Sequence, residues 1–137
     1  MKKLFALFLV VFALSACSSS DDDGNNSSNS QITPPSWIQG TWVDKETYDV
    51  VGYKIGYIFR SDDVCMLNIS TETCWKETLA IQDNIPNSPK SNVDQKISDT
   101  EYKCSITVTG QTIHYHFQKV SSNTIKNVDN GATLTKI

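Results

Sequence analysis

The chain has 137 residues, 20% of them charged and 39% apolar, with a formal net charge of −3 at neutral pH. That length supports one domain with a single core rather than two. The acidic balance argues against nucleic acid and anionic headgroups as partners, since both are recognised through a surplus of Lys and Arg.

Met1-Lys2-Lys3 is followed by an apolar run, Leu4 to Ala16, that has the length of a signal h-region. It falls short of the roughly 18 to 20 residues a helix needs to cross a bilayer. Leu14-Ser15-Ala16-Cys17 places a branched apolar residue and two small ones directly before a cysteine. This order resembles the lipobox of bacterial lipoproteins. The resemblance implies cleavage before Cys17, a diacylglycerol on its thiol and a further acyl chain on the new amino terminus. Each buried CH₂ contributes about 0.8 kcal/mol, so two or three acyl chains hold a protein at a membrane that it does not span. Removal of residues 1–16 takes Lys2 and Lys3 away and moves the formal charge from −3 to −5.

The tract from Ser18 to Pro35 is rich in Ser, Asn, Asp and Pro and is expected to be a flexible tether, residues 17–35 with the cysteine included. As a coil of that length it reaches about 25 Å from end to end. Asp21-Asp22-Asp23 is similar to the acidic export signal of some Gram-negative surface lipoproteins, which implies display on the outer face of the outer membrane. The plainer alternative is that these carboxylates keep the tether soluble.

From Trp37 onward aromatic and β-branched residues become dense, and period-two alternation replaces low complexity. Alternation is clear in Tyr53–Arg60, Glu101–Val108 and Thr112–Lys119. It predicts half-buried antiparallel strands there. Weaker strands are expected at Gln39–Val43, Val64–Ile69, Cys74–Ile81, Thr124–Val128 and Ala132–Ile137, with hairpin turns at Gly110 and at Asn130-Gly131. Gln82–Gln95 carries two prolines and three asparagines, and reads as a long loop or as a loop holding a short edge strand. The expected fold of residues 36–137 is therefore all-β: a small up-and-down antiparallel barrel of about eight strands, whose closure removes exposed edges.

Gly40-Thr41-Trp42, preceded by an expected helical turn at Ser36–Gln39, resembles the G-x-W signature of lipocalins. "GYIFRSDDVC" followed by "TCWKE" is also similar to small lipocalin-like domains of bacterial surface lipoproteins. The resemblance implies that Trp42 packs across one barrel end beneath a basic residue of the last strand, Lys136. It also implies a small hydrophobic ligand in the barrel. Trp42, Tyr57, Phe59, Trp75, Tyr115 and Phe117 are the candidate ligand contacts, with entry between the Asp44–Val51 and Gln82–Gln95 loops. An eight-stranded lumen is narrow enough for Tyr53 and these side chains to fill, so a solid core and a pocket at the open end both remain open.

Beyond Cys17 the chain has Cys65, Cys74 and Cys104. A hairpin centred near Ile69-Ser70 sets Cys65 opposite Cys74, which favours that disulfide, with Cys74–Cys104 as the alternative. Cys104 alternates with apolar neighbours and reads as a small buried hydrophobe. The spacing matches no zinc pattern. His114 and His116 share one strand face, expected to be the barrel exterior. The carboxylates Asp44, Glu46 and Asp49 are expected to solvate a loop. No catalytic motif is present, so the chain is expected to be a monomeric binding module without enzyme activity or cofactor, or a surface interaction protein with a filled barrel that docks a protein or glycan. Replacement of Cys17 by Ala is expected to move the protein from the membrane fraction to the soluble fraction on sedimentation; retention in the membrane pellet would refute lipidation.

Overall fold

In the computed structural model, which describes residues 30–137, the alternating segments become nine strands and two short helices. The signal segment, Cys17 and Asp21–Asp23 lie outside the described residues. In chain order the elements are β1 (Gly40–Asp44), α1 (Lys45–Val51), β2 (Lys54–Phe59), β3 (Val64–Ile69) and β4 (Thr71–Cys74). They continue with α2 (Trp75–Asp83), β5 (Asn92–Ile97), β6 (Glu101–Val108), β7 (Gln111–Lys119), β8 (Thr124–Asn127) and β9 (Thr133–Lys136). All neighbouring pairs are antiparallel, in the order β4-β3-β2-β1-β9-β8-β7-β6-β5.

The first and last strands therefore meet in the middle of the sheet, and the middle of the chain supplies both edges. The edges do not pair with each other. The result is an open, strongly curled half-barrel with nine strands rather than a closed barrel with eight. Two elements differ from the sequence expectation, and the first is the expected Asp44–Val51 loop, most of which is helix α1. The segment expected to be a strand at Cys74–Ile81 leaves the sheet after Cys74 and becomes α2. Gln82–Gln95 gives the end of α2, a loop and the start of edge strand β5, which is the second of the two forms expected for it.

The reason α2 is a helix lies in "WKETLAIQD", which is rich in good helix formers and sets Trp75, Leu79 and Gln82 on one face. Its start is capped from a distance. Cys74, at the N-cap position, has no side-chain cap hydrogen bond, and its sulfur is bonded to Cys65, its cross-strand neighbour on β3. Asp63, in the β2–β3 turn, supplies the missing acceptor. Its Oδ1 accepts from the backbone N–H groups of Val64 at 2.8 Å, Trp75 at 3.1 Å and Lys76 at 2.9 Å. The disulfide closes a loop of sequence separation 9. A loop that short is worth about 2 to 3 kcal/mol through restriction of the unfolded chain.

The gap between the edges is partly covered. Leu79 of α2 and Ile32 of the amino-terminal segment both belong to the hydrophobic core, and Ile32 is only 2% exposed. Gln95 of β5 ties that segment down, accepting from Thr33 N at 2.9 Å and donating to Gln31 O at 3.1 Å. One end of the half-barrel is plugged by a helical turn, where Ile38 N donates to Pro35 O and Gln39 N to Ser36 O. Trp42 is fully buried beside it and donates from Nε1 to Ile38 O at 2.5 Å, while Lys136 Nζ sits 5.4 Å above its ring. Gly40 makes this overlay feasible, because a Cβ there would lie 2.5 Å from Lys136 Cε. The β6–β7 connection is a two-residue turn in which Thr109 and Gly110 both have positive φ, as that tight turn requires.

Replacement of Asp63 by Ala leaves three backbone donors without this acceptor. Urea unfolding is expected to show a loss of about 1 to 3 kcal/mol, and an unchanged midpoint would contradict the capping role.

Candidate functional site

Register fixes which side chains share the concave face. Tyr57 on β2 stands opposite Trp42 on one side and Met66 on the other, Phe59 stands opposite Val64, and Ile55 opposite Asn68. Across the sheet, Phe117 pairs with Tyr102 and Asn127, and Tyr115 pairs with Cys104. Three strands then show the same gradient along their length. On β2, Phe59 is 1% exposed and Ile55 41%; on β3, Val64 is 0% and Met66 41%; on β7, Phe117 is 0% and Ile113 42%. On β2, β3 and β7 the concave face is dry toward the end plugged by Trp42 and open toward the other, whereas on β5 and β6 Val93 and Ile106, level with Ile113, stay buried.

At the dry end the aromatic side chains meet mainly edge to face. Phe59 and Phe117 have centroids 5.0 Å apart at 83°, Tyr57 and Phe117 5.0 Å apart at 73°. Each such pair adds about 0.5 to 1.5 kcal/mol to its area burial. Trp75 Nε1 donates to Tyr115 Oη at 2.8 Å, and Tyr102 Oη donates to Gln95 Oε1 at 2.9 Å, so the polar tips of this cluster are paired. Cys104 is the free cysteine among the described residues, and burial pushes its thiol up to about 11, which leaves it protonated and unreactive at neutral pH.

At the open end lies a cleft of about 470 Å³, within the range of small-molecule sites. Ile55, Gly56 and Tyr57 of β2, Met66, Leu67 and Asn68 of β3, and Thr73 of β4 form one wall and the floor. Asp44 and Thr47, at the β1–α1 junction, form a second wall. Asn127, Asn130, Ala132 and Leu134, around the β8–β9 turn, form the third.

Several of these polar groups are held in place. Asp44 Oδ1 accepts from Thr47 N at 2.7 Å and caps α1, and that hydrogen bond holds the carboxyl below its ordinary value, so it is ionised at neutral pH. Asn127, 4% exposed, donates to Tyr57 Oη at 3.3 Å and accepts from Asp129 N at 3.0 Å. Burial raises the Tyr57 phenol, which stays neutral. Asn130 Oδ1 accepts from Ala132 N at 3.0 Å and shapes the turn.

The six candidate ligand contacts thus divide. Trp42, Phe59, Tyr115 and Phe117 are buried in the core, Trp75 packs against it, and Tyr57 is the member that lines the cleft. The first entry segment, Asp44–Val51, is largely α1 and contributes Asp44 and Thr47 to the cleft. The second, Gln82–Gln95, contributes no lining residue; the β3–β4 hairpin and the β8–β9 turn take its place. Ile55 and Met66 carried a usable signal, since each shares a strand face with a core residue, Phe59 four positions from Ile55 and Val64 two positions from Met66. The asparagines carried none, because turn and cleft asparagines look alike in sequence.

Asp63, Cys65 and Cys74 bring potential metal-ligand atoms within 4.8 Å of one another. The two sulfurs are bonded to each other, so the thiolates that a metal needs are not available. His114 and His116 point away from Tyr115, to the convex side. His114 Nδ1 lies 2.9 Å from Ser105 Oγ, and His116 Nε2 lies 2.7 Å from Glu101 Oε1. Comparison of the chain with protein-family models, with curated proteins and with solved structures gave no match.

Proposed function

We propose that the chain is a lipid-anchored protein of the bacterial outer membrane, displayed outward through Cys17, whose lipocalin-like half-barrel binds a small ligand with an apolar body. The observation that carries the binding role is the cleft of about 470 Å³ at the open end of a concave face that is otherwise packed. A filled interior alone would favour a purely structural module. On β2 and β3 the core residues end partway along the strand, and the apolar side chains of Ile55 and Met66 continue past them into an accessible cavity. The lipocalin-like reading draws support from Trp42, buried at the plugged end with Lys136 across its ring and a helical turn beneath it. The anchor draws its support from the Leu14–Cys17 sequence alone.

Exposed Val50, Val51 and Ile69 favour a second reading, in which the open end docks a protein or glycan partner. Titration separates the two. The mature chain, residues 17–137 with Cys17 replaced by Ser, is mixed with an environment-sensitive apolar dye. Saturable binding at one site, lost when Met66 is replaced by Trp to fill the cleft, is the expected result. Dye binding that does not saturate, or that the Met66→Trp protein retains, would remove the ligand-binding role.

A further inference from the structure

The cleft has a sign. None of its lining residues is Lys, Arg or His, and the ionised group among them is the Asp44 carboxylate. Asp44 uses one hydrogen bond, from Thr47 N, in capping α1. A carboxylate accepts through about four lone-pair directions, so it keeps capacity for a further donor. Outside the lining, Asp129, held by the His116 backbone N–H at 3.0 Å, adds negative charge that acts on the Tyr57 phenol. Beside Asp44 the lining is apolar, with the side chains of Ile55, Met66 and Leu134.

A ligand that fills this cleft displaces water from Asp44. Desolvation of a carboxylate is costly unless an opposite charge replaces the water. A fatty-acid anion would add a second negative charge with no cation to meet it. An uncharged amphiphile such as an alcohol brings one donor to Asp44 but no matching charge. A primary ammonium group brings three donors and the matching charge.

Resting on the reading of the cleft as a ligand site, we propose that its ligand is a small amphipathic amine, with the ammonium group at Asp44 and the hydrocarbon body on Ile55, Met66 and Leu134. Tyr57, neutral and hydrogen-bonded to Asn127, lies against that body as an aromatic wall.

Three ten-carbon probes that differ only in the head group test this: decylamine, decanol and decanoate, each below its aggregation concentration, titrated calorimetrically at pH 7 into residues 17–137 carrying Cys17→Ser. That form contains every core residue of the described half-barrel. Decylamine is expected to bind at least about tenfold more tightly than decanoate and several-fold more tightly than decanol. Asp44→Asn retains an oxygen that caps α1. It is expected to weaken decylamine about five- to tenfold, to the level of decanol, and to leave decanol unchanged. Equal affinity for decylamine and decanol, tightest binding of decanoate, or an Asp44→Asn protein that keeps full decylamine affinity would overturn the amine assignment while leaving the cleft a ligand site. Failure of all three probes to bind would overturn the ligand site itself. If Asp44→Asn does not fold, the ranking of the three probes on the parent protein decides.

Discussion

The two edges of the sheet, β4 and β5, do not hydrogen-bond to each other, and the rest of the molecule is arranged around that gap. A closed barrel would satisfy both edges and press opposite walls together along the whole length. In the open form, the concave face has to be covered by other means. Ile32 and Leu79, from the amino-terminal segment and α2, supply part of this cover. The exposure gradient along β2, β3 and β7 follows directly: dry beside Phe59 and Phe117, accessible beside Ile55 and Ile113.

What holds the covered end is a set of contacts with little freedom to move. The disulfide fixes β4 against β3, and Asp63 joins the β2–β3 turn to the first two backbone N–H groups of α2. Trp42 is fixed by its hydrogen bond to Ile38 O below and by the Lys136 ammonium above. Since β1 and β9 are adjacent, that tryptophan also joins the two ends of the domain at the centre of the sheet. The cleft end is held by hydrogen bonds such as Asn127 to Tyr57 and Thr47 N to Asp44. Its walls are a seven-residue helix, a hairpin whose turn places Ile69 at φ 60°, and a five-residue connection rich in Asn and Asp.

Alternation in the sequence located β2, β6 and β7 nearly to the residue, because each has one face buried against aromatic side chains and one face in water. The Cys65–Cys74 pairing was legible for a related reason: a two-residue turn at Ile69-Ser70 makes residues 65 and 74 opposite partners. The helix formers of "WKETLAIQD" favour α2, but its start was not legible in the sequence. Its anchor, Asp63, lies twelve residues upstream of Trp75, and a distant cap leaves no local mark. Openness was hidden too, since edge pairing is a property of curvature and not of any single strand. The candidate site was read from aromatic bulk, which is why four of its six members belong to the core: large rings gain most from full burial and go where water is excluded. The cleft is left to Tyr57 and to residues of modest size, Ile55, Met66, Asn68 and Leu134, and to Asp44, which reads in sequence as a loop carboxylate.

The central claim is that ligand enters at the open end and not between the packed aromatic side chains. Its most direct test is the map of backbone amide chemical shifts as decylamine is added to isotopically labelled residues 17–137 with Cys17 replaced by Ser. Shifts are expected to concentrate at Asp44, Ile55, Tyr57, Met66, Asn68 and Leu134, and to leave Tyr102, Cys104 and Phe117 unmoved. Shifts centred on Tyr102, Cys104 and Phe117, or scattered over the surface without saturation, would contradict it.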